Sequence, residues 1–348
     1  MFAGCGGQGE AWKVQTLDRE GNINGHTLAL ALDAKDRPHI AYCDWNTYRL
    51  QYLQWDGNAW QREEVTHSGN AGTYVSLALD PAGRPRVAYF EWQQKALYFG
   101  SRGEEGWQLQ RVDQSAYVGP YVDLALDAEG QPHCSYFDWT NYDLKYARRD
   151  RRGWQMETVD HDDHVGMFSS LVLDEAGQPI ISYLDWTHQA LKLAVKTAGE
   201  WHVSFVDQEG KVGMFSSLAR GRDGTLSVAY QDMGRLDLKF AQQRPDGSWA
   251  TETVASQGDV GRYASLALDS KGQPHISYFD FTKKQFKYCR REGQRWVFEL
   301  IDMDGDVGAY SALALDSRDV PHVVYCEYQQ HDLKYATLNR KPANKGGE

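Results

Sequence analysis

Short apolar runs broken by turn residues recur along the whole chain, and no stretch shows the three-to-four-residue periodicity of an amphipathic helix. One such run, SYFDWT at 135–140, ends on Asp138 and Trp139, and near copies follow at 182–187 and 277–282. The register can be followed on tryptophans. Trp12, Trp60, Trp107, Trp154, Trp201, Trp249 and Trp296 open similar stretches at intervals of 47 or 48 residues. Behind each stands a glycine (Gly25, Gly72, Gly119, Gly166, Gly213, Gly261, Gly308), then a leucine position five residues on and a tyrosine from Tyr42 to Tyr325. Seven copies hold these positions together, so the chain is a tandem repeat.

Each copy predicts four short strands. The first is typified by YASLALD (263–269), the turn by DSKGQP (269–274) and the second strand by HISYFD (275–280). The third is the LKYA segment, as at 144–147 and 333–336, and the fourth opens on the tryptophan, as in WQMETVD (154–160). Glycine in the turn tolerates positive φ, and proline at the head of the second strand has no ladder donor to lose. Four short strands per repeat of this length predict a propeller blade. The chain begins with a fourth strand, Trp12 to Asp18, and finishes with a first, second and third, Ala309 to Ala336. The expected fold is therefore all-β: a seven-bladed β-propeller of four antiparallel strands per blade over 11–338, closed when the N-terminal strand completes the last blade. Such closure removes exposed sheet edges. Residues 1–10 read as a flexible tether and 339–348 as a disordered tail.

The pattern SLALDSKGQPHISYFD (265–280), followed by an LKYA-type strand and a tryptophan strand, resembles the seven-bladed propellers of bacterial surface and secreted proteins. That group includes lectins and sugar-processing enzymes of the sialidase-like and polysaccharide-lyase kinds. The resemblance spans nearly the whole chain and implies the fold. It implies no particular activity, because the Ser-x-Asp-x-Gly-x-x-Trp box of sialidases is not matched and no arginine trio corresponds.

Composition narrows the partners. The chain has 348 residues, 12 Trp, 20 Tyr and a formal charge of −11, with no basic stripe, so it repels nucleic-acid backbones. No run of 18 apolar residues is present to span a membrane. Of five cysteines, Cys43, Cys134, Cys289 and Cys326 lack zinc-site spacing and are expected as buried free thiols. Cys5 lies in MFAGCGGQGE, which resembles the end of a bacterial lipoprotein signal peptide. The charged start and apolar stretch that precede such a box are not in this sequence, so the alternative is a chance match. The lipoprotein reading places lipid on Cys5 and the protein in an extracytoplasmic compartment, either anchored to a membrane or secreted.

The candidate chemistry gathers on one rim. In an antiparallel four-stranded blade the ends of strands two and four emerge on the same face. Strand two ends in an acid–aromatic pair: Asp44–Trp45, Glu91–Trp92, Asp138–Trp139 and Asp185–Trp186, then Asp232–Met233, Asp280–Phe281 and Glu327–Tyr328. A carboxylate accepts hydrogen bonds from sugar hydroxyls while an aromatic ring lies on the C–H face, so the first four pairs are the candidate ligand-binding residues. A feature present in every copy can equally cap turns and wedge blades together, and both readings stay open.

The loops after strand four are acidic, and in DMDGDVG (302–308) Asp302, Asp304 and Asp306 alternate as calcium ligands do, although no closing glutamate follows. No other cofactor is indicated. The loop HDDH supplies His161 and His164, with His188 on the adjoining blade, as candidates for metal binding or acid–base catalysis; His26, His67 and His331 share that face. His39, His133, His275 and His322 follow the turn proline on the opposite rim and are expected to be structural. Arg220 replaces the usual leucine of strand one and Gly221 the turn aspartate, which predicts a salt bridge toward that opposite rim. Three functions fit: non-catalytic recognition of a glycan or protein, an enzyme acting on a polysaccharide, or a scaffold subunit of a larger assembly.

Overall fold

The computed structural model describes residues 10–23, 28–66, 71–115 and 117–340. Seven antiparallel sheets of four strands form a ring, and among the described residues there is no helix. Blade one comprises Leu28–Leu32, Pro38–Asp44, Arg49–Trp55 and Trp60–Glu64. Blades two to six repeat the plan. Blade seven comprises Val307–Leu315, Pro321–Glu327 and Leu333–Arg340, with Glu10–Asp18 as its outermost strand. There Trp12 pairs with Leu338 and Val14 with Ala336, so the two ends of the chain close the ring. Cys5, His26 and His67 lie outside the described residues.

The tryptophan repeat has a packing cause. Six of the seven indoles that open strand four lie edge-on to an aromatic of strand three in the preceding blade, and the seventh, Trp249, packs against a cluster that includes Leu191 and Leu193 of blade four. Trp201 meets Tyr146 at 5.3 Å, Trp154 meets Phe99 at 5.4 Å, Trp107 meets Tyr52 at 5.5 Å and Trp296 meets Phe240 at 5.6 Å. Trp60 on Tyr335 and Trp12 on Tyr288 add two more such pairs. Each such pair contributes about 0.5–1.5 kcal/mol beyond its area burial. The repeated glycine is needed for a different reason. Gly166 has φ +100°, and a Cβ there would stand 2.7 Å from Cα of Leu144 on the preceding blade.

First strands begin earlier than the pattern indicates: Val260–Leu268 rather than 263–269. The added residues precede a bulge, where pairing slips between Arg262 and Ser265 and Tyr263 takes φ +54°. Bulges re-aim a side chain and hide from a strict alternation test. The same positive φ turns an aromatic toward the axis in six blades, at a bulge in five and in the turn before the first strand in blade three. Tyr74, Tyr121, Phe168, Phe215, Tyr263 and Tyr310 stand in sequence around a cavity of about 180 Å³, with neighbouring ring centroids 4.1–4.9 Å apart. Next to them a belt of side chains links the first strands. Ser170 accepts the N–H of Leu218 at 3.1 Å, Ser217 that of Leu266 at 3.0 Å and Ser265 that of Leu313 at 3.0 Å. Asp123 serves blade three in the same way, accepting from Leu171 at 2.8 Å.

The four described cysteines are buried and in no disulfide, and burial pushes the Cys43 thiol up to about 12. Arg220 reaches Glu175 of blade four at 3.4 Å, the contact its placement predicted. His39, His133 and His322 each hold a tyrosine hydroxyl at 2.5 Å (Tyr52, Tyr146, Tyr335), and His275 bonds Tyr288 in the same way. Their far ring nitrogens face aspartates at 3.6–3.9 Å, so the four residues are built into the wall of the opposite rim.

Candidate ligand-binding rim

The structure divides each acid–aromatic pair into a buried half and an open half. Asp138 is 2% exposed; it accepts the backbone N–H groups of Thr140 at 2.9 Å and Asn141 at 3.2 Å and the Asn141 amide at 2.9 Å. Asp185 is fully buried and takes the His188 N–H, the His188 ring and Lys192, all within 2.9 Å. Burial pushes its carboxyl up, but these donors together hold it below its ordinary value. Glu91 is bonded by the N–H groups of Gln93 and Gln94, and Asp44 by Asn46 at 2.9 Å and the Thr47 hydroxyl at 2.8 Å. The acids therefore cap the turn after strand two, as side chains that compete for local N–H groups do.

The indoles turn outward. Trp92, Trp139 and Trp186 are 39%, 38% and 42% exposed. Trp45 is half-buried, with its ring 6.1 Å from Tyr48. Exposure does not follow the four-tryptophan arc, since Phe281 and Tyr328 are as open as the indoles. What distinguishes the arc is its company. The backbone N–H of Trp139 donates to the carbonyl of Tyr117 at 3.0 Å and that of Trp186 to His164 at 2.8 Å, as those of Phe281 and Tyr328 do to Asp259 and Asp306, so the difference lies in the side chains that the loop of the preceding blade brings beside each aromatic. In the first cleft Tyr117 stacks on Trp139 at 5.7 Å, Trp92 lies 6.4 Å away, and Lys95 sits 5.1 Å from the Tyr117 centroid. In the second, His164 stacks on Phe137 at 5.7 Å, meets Tyr142 at 4.4 Å and Trp186 at 6.3 Å. Burial depresses the basicity of His164, and its Nε2 has no hydrogen-bond partner. At blade six the corresponding Phe281 is covered by Arg262 at 4.0 Å instead.

His161 is exposed, and His188 is tied to the buried Asp185. Asp302 is occupied by the Tyr325 hydroxyl at 2.7 Å and Lys334 at 3.0 Å, Asp306 is paired with Lys284, and Asp304 is on the exposed part of the loop. No group of three or more metal-ligating side chains comes together among the described residues, so the alternating aspartates do not form a cation cage.

The loop acids have another use, which sequence reasoning missed. The aspartate six residues after the strand-four tryptophan turns into the seam between blades. Asp160 accepts from Tyr183 at 2.6 Å and from Lys192 at 3.2 Å; Asp113 from Tyr136 at 2.7 Å and Lys145 at 3.0 Å. Asp207 holds Tyr230 and Lys239, Asp302 holds Tyr325 and Lys334, and Asp18 holds Tyr42 and Arg62. The signal was in the repeat: an acid at that offset, the repeated tyrosine, and the lysine of LKYA.

No family model and no curated protein matches the sequence. Solved structures share the fold. A Dyadobacter fermentans protein of unknown function aligns over 96% of this chain and 100% of its own, with TM-score 0.61 and 12% identity. The Aleuria aurantia lectin in complex with Fucα1-6GlcNAc aligns over 81% of this chain and 98% of its own, with TM-score 0.56 and 12% identity. An α-L-arabinofuranosidase from Fusarium graminearum, bound to an iminosugar inhibitor, aligns over 76% of this chain and 92% of its own, with TM-score 0.51 and 12% identity. Likeness at this identity establishes a shared architecture, and the same architecture can carry either binding or hydrolysis.

Proposed function

We propose that the protein is a non-catalytic glycan-binding propeller that works outside the cytoplasm, at a cell surface or in the periplasm, through the aromatic clefts of its rim. The observation that carries this reading is the presentation of Trp92, Trp139 and Trp186 at one repeat position, each about two-fifths exposed although large and apolar. An indole held flat by packing against a neighbouring ring offers the apolar face that a pyranose C–H face covers. The flanking Lys95 and His164 supply polar partners for hydroxyls. A sugar-binding lectin among the fold neighbours supports the class of ligand.

A glycan array with wild-type protein and the Trp139→Ala/Trp186→Ala double variant tests it. Binding is expected to vanish in the variant while its thermal melt stays near wild type. Unchanged binding, or no glycan bound by the wild type, removes the proposal. Attachment through lipid on Cys5 belongs to the same reading, and metabolic labelling with a radiolabelled fatty acid, lost in Cys5→Ala, checks it.

One observation favours a second reading, an enzyme acting on a polysaccharide. His164 has a depressed basicity and an unpartnered Nε2 within the second cleft. Such an enzyme would release product from an acidic polysaccharide and fall silent on His164→Ala.

A further inference from the structure

Two of the seven seams lack the buried aspartate, and they lack it differently. In each blade one row crosses strands two, three and four. In blade four the row is Tyr183, Lys192, Phe205, and it meets Asp160 of blade three. In blade two the row is Tyr89, Tyr98, Arg111, and the preceding blade offers Thr66. There the acid and the lysine are replaced together, and Tyr89 stacks on Tyr98 at 5.7 Å. In blade six the row is Tyr278, Lys287, Leu300, and the preceding blade offers Ala255. There the acid is gone while both its partners remain.

The consequences are visible at that seam. Tyr278 is 2% exposed, yet its hydroxyl has no hydrogen-bond partner among the described residues, where Tyr183 has one at 2.6 Å. Lys287 keeps Asp280 at 2.6 Å, whereas Lys192 is shared by Asp160 and Asp185. A cavity of about 450 Å³ opens here, and Tyr278, Lys287, Lys283, Ser256, Gln257 and Phe298 are in its wall. The Tyr278 hydroxyl therefore offers an unused donor to the cavity, where its counterparts at five other seams are taken by an aspartate. Alanine differs from aspartate by one carboxylate group, the group that the other seams place against this tyrosine and lysine.

We propose that the seam between blades five and six binds the carboxylate of a small organic acid, in the position filled by Asp18, Asp113, Asp160, Asp207 and Asp302 at five other seams. The Tyr278 hydroxyl donates to one carboxylate oxygen, and the ammonium of Lys287, supported by Lys283, carries the countercharge. Phe298 and Leu300, 48% and 43% exposed, form the apolar wall along which the body of the ligand lies. Glu299 also lines the cavity, but its carboxylate is taken by the Trp12 indole at 2.9 Å and by Arg290, so among the described residues Asp280 is the one carboxylate on Lys287 and the ligand joins it there as Asp160 joins Asp185 on Lys192. The site is remote in chemistry from the aromatic clefts and does not rest on glycan binding there.

Isothermal titration at constant ionic strength, with glucuronate and benzoate against glucose and benzyl alcohol, tests the site. Both carboxylates are expected to bind and both neutral counterparts to be silent. Ala255→Asp installs the acid of the other seams and is expected to fold and abolish the binding. Tyr278→Phe keeps the shape of the seam and is expected to weaken binding about five-fold, the value of one hydrogen bond. No heat from either carboxylate, equal binding of the neutral compounds, or binding that survives Ala255→Asp overturns the proposal.

Discussion

The seam between blades three and four and the seam between blades five and six share the tyrosine and lysine of one row, and they differ in the carboxylate that meets them. In the first, Asp160, Tyr183 and Lys192 satisfy one another out of contact with water. In the second, Ala255 leaves Tyr278 and Lys287 lining an open cavity. The seam between blades one and two supplies the control, because its loss of the acid is matched by loss of the lysine. In a repeat protein a polar position that recurs with all its partners belongs to the architecture. A position where one partner is missing and the others persist is where a ligand has room to act.

The largest expected effect sharpens the first half of this comparison. Asp160→Ala strands Tyr183 and removes one of the two acids on Lys192, and it should cost about 3–5 kcal/mol in urea unfolding, the usual result of breaking a buried ionic group. A loss under about 1 kcal/mol would mean that the seam acid contributes nothing more than a surface ion pair.

A pH titration extends the comparison to the opposite rim, where blades one, three and seven carry the buried His39, His133 and His322. Burial pushes all three imidazoles below their ordinary value, and the neighbouring aspartates reverse this only in part. The unfolded chain therefore takes up protons first. Stability is complete above about pH 6.5 and falls as the pH drops below it, by no more than about 1.4 kcal/mol per pH unit for each histidine. Denaturant midpoints between pH 7.5 and 5.5 check the sign. Replacing His133 by Asn should flatten the slope.

Ala255→Asp, in contrast, should change stability by less than about 1 kcal/mol, because Lys287 already has Asp280 and the new acid gains only what the cavity lacked. The smallest effect is expected on the rim. Trp186→Ala removes a side chain that is 42% exposed and should move the melting temperature by about 2 °C or less. Trp201→Ala, at a seam, should lower it by several times that amount. If the two indoles behave alike, the division between seam and rim tryptophans is wrong.

The architecture is largely legible in the sequence. Seven tryptophans in register give seven blades, and the pairing of Glu10–Asp18 with Leu333–Arg340 closes them into a ring. The site was legible only by half. The acid–aromatic pairs were readable as residents of one rim, because strand alternation and turn placement put them there. That Asp138 and Asp185 turn into their own hairpins while Trp139 and Trp186 turn out was not readable, since adjacent residues of a turn share the same sequence signature. Asp302, a seam aspartate, reads from sequence as a calcium ligand for a related reason. Its loop is acidic and Gly-rich, which suits an exposed turn, and nothing local reveals that a tyrosine and a lysine of the next blade close over it. The aromatic ring of the channel escaped notice because a bulge breaks the alternation that would have flagged it.

What the amino-acid sequence determines by itself is the number of blades, the order of strands within them and the closure of the ring, since each follows from local period and from turn residues acting over a few positions. Tertiary structure decided which carboxylates meet water, which indoles stay open and where the missing acid at Ala255 leaves a cavity. Those outcomes depend on the neighbouring blade, placed a full repeat away in the chain but within hydrogen-bond reach in space, and burial is a property of that neighbour as much as of the residue itself.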